Sequence, residues 1–323
     1  MRKDYINGYY EGSFLNGKRH GKGTYCYKNG NKYVGDWVSD KKHGKGTFIL
    51  ADGGKYEGDF FENAMHGKGI CIFSSGKRYE GEWKQNKMQG KGKCYYTNGD
   101  VYVGDWVDNK RTGYGVYTHK DGSKYEGQWL NDYRHGKGKG VNANGEKYEG
   151  DYFNGNYHGK GVLSYANGNH YEGDFVNGKP QGKGTAIYVN GYRYEGNWYD
   201  GKVNGQGTMT SPHNGMYQGN WRDDKMNGYG IYWDVDGTRY EGDWLDNQKH
   251  GFGICYYNNG DRYEGDWVFD CREGNGCYYW DNGDYFEGEW LSNKRNGRGT
   301  LYYYDDTYLD GYWEDDEFVL YAE

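Results

Sequence analysis

The chain alternates. In Arg78-Tyr79-Glu80-Gly81-Glu82-Trp83, ring or small residues (Tyr79, Gly81, Trp83) interleave with charged ones (Arg78, Glu80, Glu82). A period of two puts these sets on opposite faces of a β-strand. The pattern returns every twenty-three positions without insertion or deletion. Its leading residue is Tyr10, Tyr33, Tyr56, Tyr79, Tyr102, Tyr125, Tyr148, Tyr171, Tyr194, Tyr217, Tyr240, Tyr263, Phe286 or Leu309, and glycine always follows two positions later. Self-similarity at a fixed period of this length marks a repeat architecture. A chain that is all repeat offers an extended surface rather than one pocket.

Two positions past that glycine stands a second ring: Trp in ten copies, Phe in three and Tyr152 in one. The intervening glycine lets a neighbouring ring or backbone approach closely. Ahead of the strand, ten copies carry Asn-Gly or Asp-Gly, as at Asn29-Gly30, Asp52-Gly53 and Asn98-Gly99. β-Branched and aromatic runs flank these dipeptides, so each repeat predicts a β-hairpin closed by a two-residue type I′ turn. That turn would set Ile72 opposite Tyr79, a cross-strand pair contributing roughly 0.2–1 kcal/mol. Three positions past the second ring the residue is always Gly, Asn or Asp (Gly17, Asp40, Asn63, Asn86 and on to Asp316). These types tolerate the left-handed region, so a tight turn falls there. The Gly-x-Gly that follows, from Gly21/Gly23 to Gly297/Gly299, reads as the bend into the next hairpin.

The predicted fold is therefore all-β: an elongated single-layer array of about 14 antiparallel hairpins, twisted into a rod with a groove. At about 9–10 Å per repeat it would be roughly 130 Å long. One hairpin is marginal alone, so stability must come from neighbour stacking. Residues 1–9 read as an N-terminal half-hairpin cap, 10–308 as the array and 309–323 as a truncated acidic C-terminal repeat. Thr208–Met216 lacks the in-phase Asn-Gly and carries Pro212, which cannot donate to a ladder; a local irregularity is expected there.

Composition agrees with this picture. Hydrophobic residues make up only 34%, but 40 Tyr, 12 Trp and 59 Gly are present, the glycines in strict phase. No apolar run approaches the roughly 20 residues of a membrane helix, and the first residues lack a signal-peptide pattern. The expectation is a soluble, cytoplasmic protein. Six cysteines suit a reducing compartment; Cys71 and Cys94, one repeat apart, would be too distant for a disulfide. Net charge is −7, and the stretch from Leu301 to Glu323 holds eight acids and no Lys or Arg. No nucleic-acid footprint of clustered positive charge is present.

These residues resemble the MORN (membrane occupation and recognition nexus) repeat, whose pattern is close to YEGxWxxGKxHGxGxxxxxxG. Tyr10–Gly23 reads YEGSFLNGKRHGKG and Tyr240–Gly253 reads YEGDWLDNQKHGFG. The resemblance covers essentially the whole chain. MORN repeats occur beside lipid-kinase and methyltransferase domains, in junctional membrane proteins, in ciliary spoke proteins and in array-only cytoskeletal scaffolds. This chain most resembles the array-only scaffold and ciliary groups. The resemblance implies a homodimer and a cytoskeletal or ciliary location.

Candidate chemistry is sparse. A Lys/His series forms a possible basic edge: Lys18, His20, Lys22, Lys41, His43, Lys45, His66 and Lys68. It could meet phosphoinositide headgroups or acidic tails, although a structural His and a solvated Lys explain each position alone. Aromatic candidates for a partner groove are Tyr33, Trp37, Tyr79, Trp83, Tyr102, Trp106, Tyr125 and Trp129, a groove suited to an extended peptide or helix. The acidic end, with Trp313, Phe318, Leu320 and Tyr321, is the self-association candidate. His-Gly-Lys-Gly lacks the spacing and helix of a P-loop. The His ladder is too widely spaced for one tetrahedral metal site. No residue stands apart from its siblings as a nucleophile or base. The expected function is a non-enzymatic scaffold without cofactor or metal, docking cytoskeletal or ciliary proteins; alternatives are a phosphoinositide-binding module and the regulatory subunit of a separate enzyme.

Overall fold

The computed structural model describes residues 1–319. It contains 29 strands and, among the described residues, no helix. The first five set the pattern: β1 (Arg2–Tyr5), β2 (Gly8–Leu15), β3 (Lys18–Tyr27), β4 (Lys32–Val38) and β5 (Lys41–Ile49). The chain divides into two compact units, Met1–Ala166 and Asn167–Glu323. Within each unit, successive strands pair antiparallel, giving a meander. β1 pairs with β2 through Arg2↔Glu11 to Tyr5↔Gly8 and forms the edge of the first unit.

The tight turn expected after the second ring is present, and it, rather than the Asn-Gly segment, is the two-residue type I′ turn of each repeat. Val38 faces Lys41 directly, and both central residues have positive φ, 47° at Ser39 and 67° at Asp40. The Asn-Gly segment instead forms a three-residue loop. Tyr27 N–H donates to Asn31 O (2.9 Å), and Gly30 N–H donates to Tyr27 O (3.0 Å). Only the glycine is left-handed there, with φ 87° at Gly30, as in a type I turn followed by a G1 bulge. One extra loop residue moves the register by one and flips the facing set. Cys71, not Ile72, therefore opposes Tyr79, and Ile72 opposes Arg78.

Gly-x-Gly is not a connection. Gly44 and Gly46 lie inside β5, which runs on through them. Against β4 the ladder jumps from Asp36↔His43 to Gly35↔Gly46, so Gly44 and Lys45 bulge out. The positive φ of Gly44, 58°, permits this. Against the following strand, Lys55–Phe61, the same residues pair regularly. The bulge frees the Lys45 N–H from the first ladder, and the Asp36 carboxylate accepts it at 3.0 Å. Asp59 does the same for Lys68 N–H and Asp105 for Tyr114 N–H.

The second glycine of each Gly-x-Gly and the glycine of Tyr-x-Gly face one another across successive strand pairs inside the array, as in Gly23↔Gly35, Gly35↔Gly46 and Gly46↔Gly58. This row forms a floor, and the tyrosine ring lies on it. A Cβ on Gly46 would stand 2.4 Å from Tyr33 Oη. The hydroxyl spans the floor and donates to Asp36 O at 3.0 Å. Trp37 Nε1–H reaches back to Gly23 O at 3.2 Å. Tyr33 meets Trp37 edge-on at 5.1 Å and Phe60 of the next repeat at 5.0 Å; Tyr79 repeats this with Trp83 and Trp106. Each such edge-to-face contact contributes about 0.5–1.5 kcal/mol beyond area burial, which is how one repeat stabilises the next.

A second staple joins neighbouring repeats at the type I′ turn. Asn63 Oδ1 accepts from Lys42 N–H at 2.9 Å and Asn86 Oδ1 from Met65 N–H at 2.8 Å. Copies with glycine at that position keep the backbone bond alone, as from Gly155 N–H to Arg134 O.

The hairpin at Pro212 keeps its register. Pairing runs from Gly205↔Trp221 through Ser211↔Gly215. Pro212 occupies the first loop position. In five copies the N–H there is bonded by an Asn or Asp of the preceding repeat, as Val189 N–H by Asn169 Oδ1 (3.1 Å). Residue 192 is a tyrosine, so at this hairpin the missing donor coincides with a missing acceptor. Ser211 Oγ closes the tip instead, accepting from His213 N–H and Asn214 N–H.

Candidate interaction faces

The aromatic candidates form the core. Tyr33, Tyr79, Tyr102 and Tyr125 are fully buried, and Trp37, Trp83, Trp106 and Trp129 are at most 6% exposed. The expectation of an open groove lined by these rings gives way to a closed face. Each ring is covered by the ring of the next repeat and by the side chain just before the His position. Arg19 lies over Trp37 (4.4 Å) and Arg111 over Trp129 (4.3 Å), while the buried Met88 stands opposite Trp83. Burial pushes the Tyr33 and Tyr79 hydroxyls well above the usual phenol range.

The concave surface lies on the other face. In the first unit a groove of about 1060 Å³ runs over Thr24, Val34, Thr47, Glu57 and Ile70, with Lys22 and Lys45 along it. These residues alternate with the core positions and oppose one another across the ladders, as in Val34↔Thr47 and Thr47↔Glu57. The second face of the single sheet is therefore the available one.

The basic edge is largely self-neutralised. Lys22 pairs with Asp36 at 2.7 Å, Lys45 with Asp59 at 2.6 Å and Lys41 with Glu62 at 2.8 Å. The backbone N–H of Lys68 bonds Asp59, Lys18 begins β3 beside the type I′ turn, and neither of these two ammonium groups forms an ion pair among the described residues. His20, His43 and His66 are half-buried within strands. The His43 and His66 rings flank Phe61 at 5.2 and 5.7 Å. At the C-terminal end Trp313 is buried and donates to Gly299 O at 3.0 Å, and Phe318 opposes it with ring centroids 5.3 Å apart. Leu320 and Tyr321 lie outside the described residues. Among the described residues no group of three His, Cys, Asp or Glu is placed to hold a metal ion.

Sequence reasoning missed the roles of the acids. The residue after Tyr-x-Gly caps the bulge, a function its recurrence as Asp or Glu signals. Two buried carboxylates are harder to foresee. Asp100 accepts from Tyr117 Oη (2.7 Å), Lys120 N–H and Asn98 Nδ2, and Asp261 does the same with Tyr278, Asp281 and Asn259. The Tyr117 bond, with the Lys120 N–H, holds the Asp100 carboxyl below its ordinary range. Burial, together with that carboxylate, pushes the Tyr117 phenol up to about 12.

A tandem array of β-hairpins, each two strands wide and joined by a shared aromatic ladder, is a repeat interaction module. The chain belongs to the MORN-repeat family: the MORN repeat matches thirteen times, from residues 10–32 through 286–308. No curated protein matches it. Among solved structures it is similar to the SAS-4 (dCPAP) TCP domain of Drosophila melanogaster in complex with a proline-rich motif of Ana2, at 13% identity over 62% of this chain and 90% of that one, with TM-score 0.22. The TCP10 domain of Danio rerio CPAP aligns at 10% identity over 75% and 92%, with TM-score 0.23. Virginiamycin B lyase of Staphylococcus aureus aligns at 11% identity over 95% and 98%, with TM-score 0.15. At these TM-scores none of the three carries an argument about function.

Proposed function

We propose that this protein is a non-enzymatic scaffold that docks protein partners within a cytoskeletal or ciliary assembly. The observation that carries this reading is the division of labour between the faces. The inner face is consumed in repeat after repeat by contacts among the first ring, the glycines and the second ring, as with Tyr33 and Trp37, that hold the array together. The outer face is free to vary and does vary, from Lys22 and Lys45 to Tyr229 and Phe252 at the same repeat position. A constant frame with a variable surface suits partner recognition. The cytoskeletal or ciliary setting rests on resemblance to array-only MORN proteins.

The phosphoinositide reading draws less support. Three of its five lysines, Lys22, Lys41 and Lys45, are ion-paired with Asp36, Glu62 and Asp59, so a headgroup would have to displace carboxylates already in place. The deciding experiment is proximity cross-linking and affinity capture of the tagged chain in ciliated cells. Stoichiometric cytoskeletal or axonemal proteins cross-linked to outer-face residues are expected. Diffuse distribution with no such partner overturns the reading. Flotation with phosphoinositide vesicles at two salt concentrations tests the rival; salt-sensitive flotation would favour it.

A further inference from the structure

The two units carry opposite formal charge. Residues 1–166 hold 27 Lys and Arg against 19 Asp and Glu, a net +8; residues 167–323 hold 13 against 28, a net −15. One repeat position accounts for part of the contrast. In the first unit Lys22, Lys45, Lys91 and Lys137 each form an ion pair with the acid opposite, at 2.6–2.8 Å. In the second unit the same position reads Lys183, Gln206, Tyr229, Phe252, Asn275 and Arg298, so three consecutive copies in its middle, Tyr229, Phe252 and Asn275, lack a cation opposite an acid. The register is unchanged, so these still oppose Asp243, Asp266 and Glu289. Those three carboxylates have no ion-pair partner among the described residues.

The substitution also changes the surface. Tyr229 is 51% exposed and Phe252 54% exposed. Ile231 and Ile254 lie beside them on the same face, opposite Glu241 and Glu264. Those two acids are held by Arg239 and Arg262, so the unpaired acids are the ones opposite Tyr229, Phe252 and Asn275. The result is an uncovered sheet face with two exposed rings, Tyr229 and Phe252, and, across three successive ladders, a carboxylate without a cation.

We propose that this face, centred on Tyr229, Phe252, Asp243, Asp266 and Glu289, docks an arginine- or lysine-rich extended segment of a partner protein. The inference deepens the scaffold reading and rests on it. Guanidinium groups stack on ring faces and form short, charge-assisted bonds to carboxylates, and here both acceptors stand across one ladder. In the first unit Lys22, Lys45, Lys91 and Lys137 already fill the cation position, and Tyr114, the ring at this repeat position there, faces Gln128 rather than a carboxylate. Spacing narrows the ligand further. Equivalent carboxylates recur every two strands, about 9–10 Å, which an extended chain covers in about three residues. The segment should carry a cation at every third position.

The test uses the full chain and a labelled peptide with Arg at every third of fifteen positions, read by fluorescence anisotropy. Binding that weakens with salt is expected, with none for the Glu counterpart. The variant Tyr229→Lys/Phe252→Lys installs the Lys–Asp pairs that the first unit already folds with. It should keep the wild-type thermal transition and weaken peptide binding at least about tenfold, since each exposed cation–π contact contributes about 0.5–1 kcal/mol and the new ammonium groups repel the ligand. Absence of binding, or binding unchanged in the variant, overturns the inference. Affinity capture with both proteins separates the two readings. Partners retained equally by both chains overturn this docking face and leave the scaffold reading standing; no partners with either chain overturn the scaffold reading itself.

Discussion

A Cβ placed on Gly92 would stand 2.3 Å from the hydroxyl oxygen of Tyr79. Tyr79 cannot retreat, because it is fully buried and its hydroxyl is bonded to Glu82 O at 3.0 Å. Trp83 and Trp106 close on the ring from either side. The period of the chain therefore has a steric cause: the ring on one strand and the glycine on the next are a single packing unit.

Gly92→Ala should accordingly destabilise by about 1–3 kcal/mol, the usual range for overpacking a closed core. Urea unfolding followed by tryptophan fluorescence measures it. Gly53→Ala makes a control, because a Cβ there meets nothing within 4 Å and only the left-handed φ opposes it. A loss at Gly92 no greater than at Gly53 would refute the flooring role.

Tyr152 replaces tryptophan, and its buried hydroxyl has no hydrogen-bond partner. Phe60 and Phe175 hold the same repeat position without that group. Tyr152→Phe should therefore stabilise by about 1 kcal/mol through relief of an unsatisfied polar atom. Thermal unfolding read by circular dichroism would show a raised midpoint, and an unchanged or lower one would count against the orphan assignment.

Alkaline pH should unfold the array cooperatively. The ladder tyrosines, among them Tyr33, Tyr56, Tyr79, Tyr102 and Tyr194, have hydroxyls pushed above the ordinary value near 10 by burial. A phenol with a raised folded pKa contributes stability that is complete below about pH 10 and is lost as pH rises through the folded value. Tyr117, at about 12, marks the lower part of that window. Ultraviolet absorbance of the phenolate should show exposed tyrosines titrating near pH 10 and the ladder set appearing only with loss of the β-sheet signal. Smooth titration of all tyrosines near pH 10 in a folded protein would contradict the core.

The Pro212 hairpin offers a coupling test. Tyr192→Asn with Pro212→Ala restores the acceptor and donor found at Asn169 and Val189. Each single change leaves one group without its mate, and Tyr192→Asn also removes the bond from Asn214 Nδ2 to Tyr192 Oη. The double-mutant cycle should give a favourable interaction energy of about 0.5–1.5 kcal/mol. Additive behaviour would mean that the two positions are independent.

Much of the fold is legible along the chain, and the errors are local. Strand identity, the constant step and the two turn sites follow from alternation and from residues such as Asp40 and Gly30 that tolerate left-handed backbone. The type of the Asn-Gly turn differs from expectation because Asn-Gly suits both a type I′ turn and a type I turn with a left-handed glycine, and the flanking residues do not separate them. Gly44 and Gly46 read as a corner because glycine marks bends and bulges alike. Alternation points to the rings as the interaction face only because it separates two faces without saying which one closes.

The sequence by itself determined the repeat, its antiparallel strands, the family and the two sets of alternating residues, because these depend on local backbone preference and side-chain period. Only the tertiary structure decided the register, the glycine floor under each tyrosine, the side chain, most often a carboxylate, that caps the bulge and the lysines already paired with acids of the next repeat. Those features depend on which residues meet across strands, and a single loop residue, the third one at Gly30, moves every such meeting by one position.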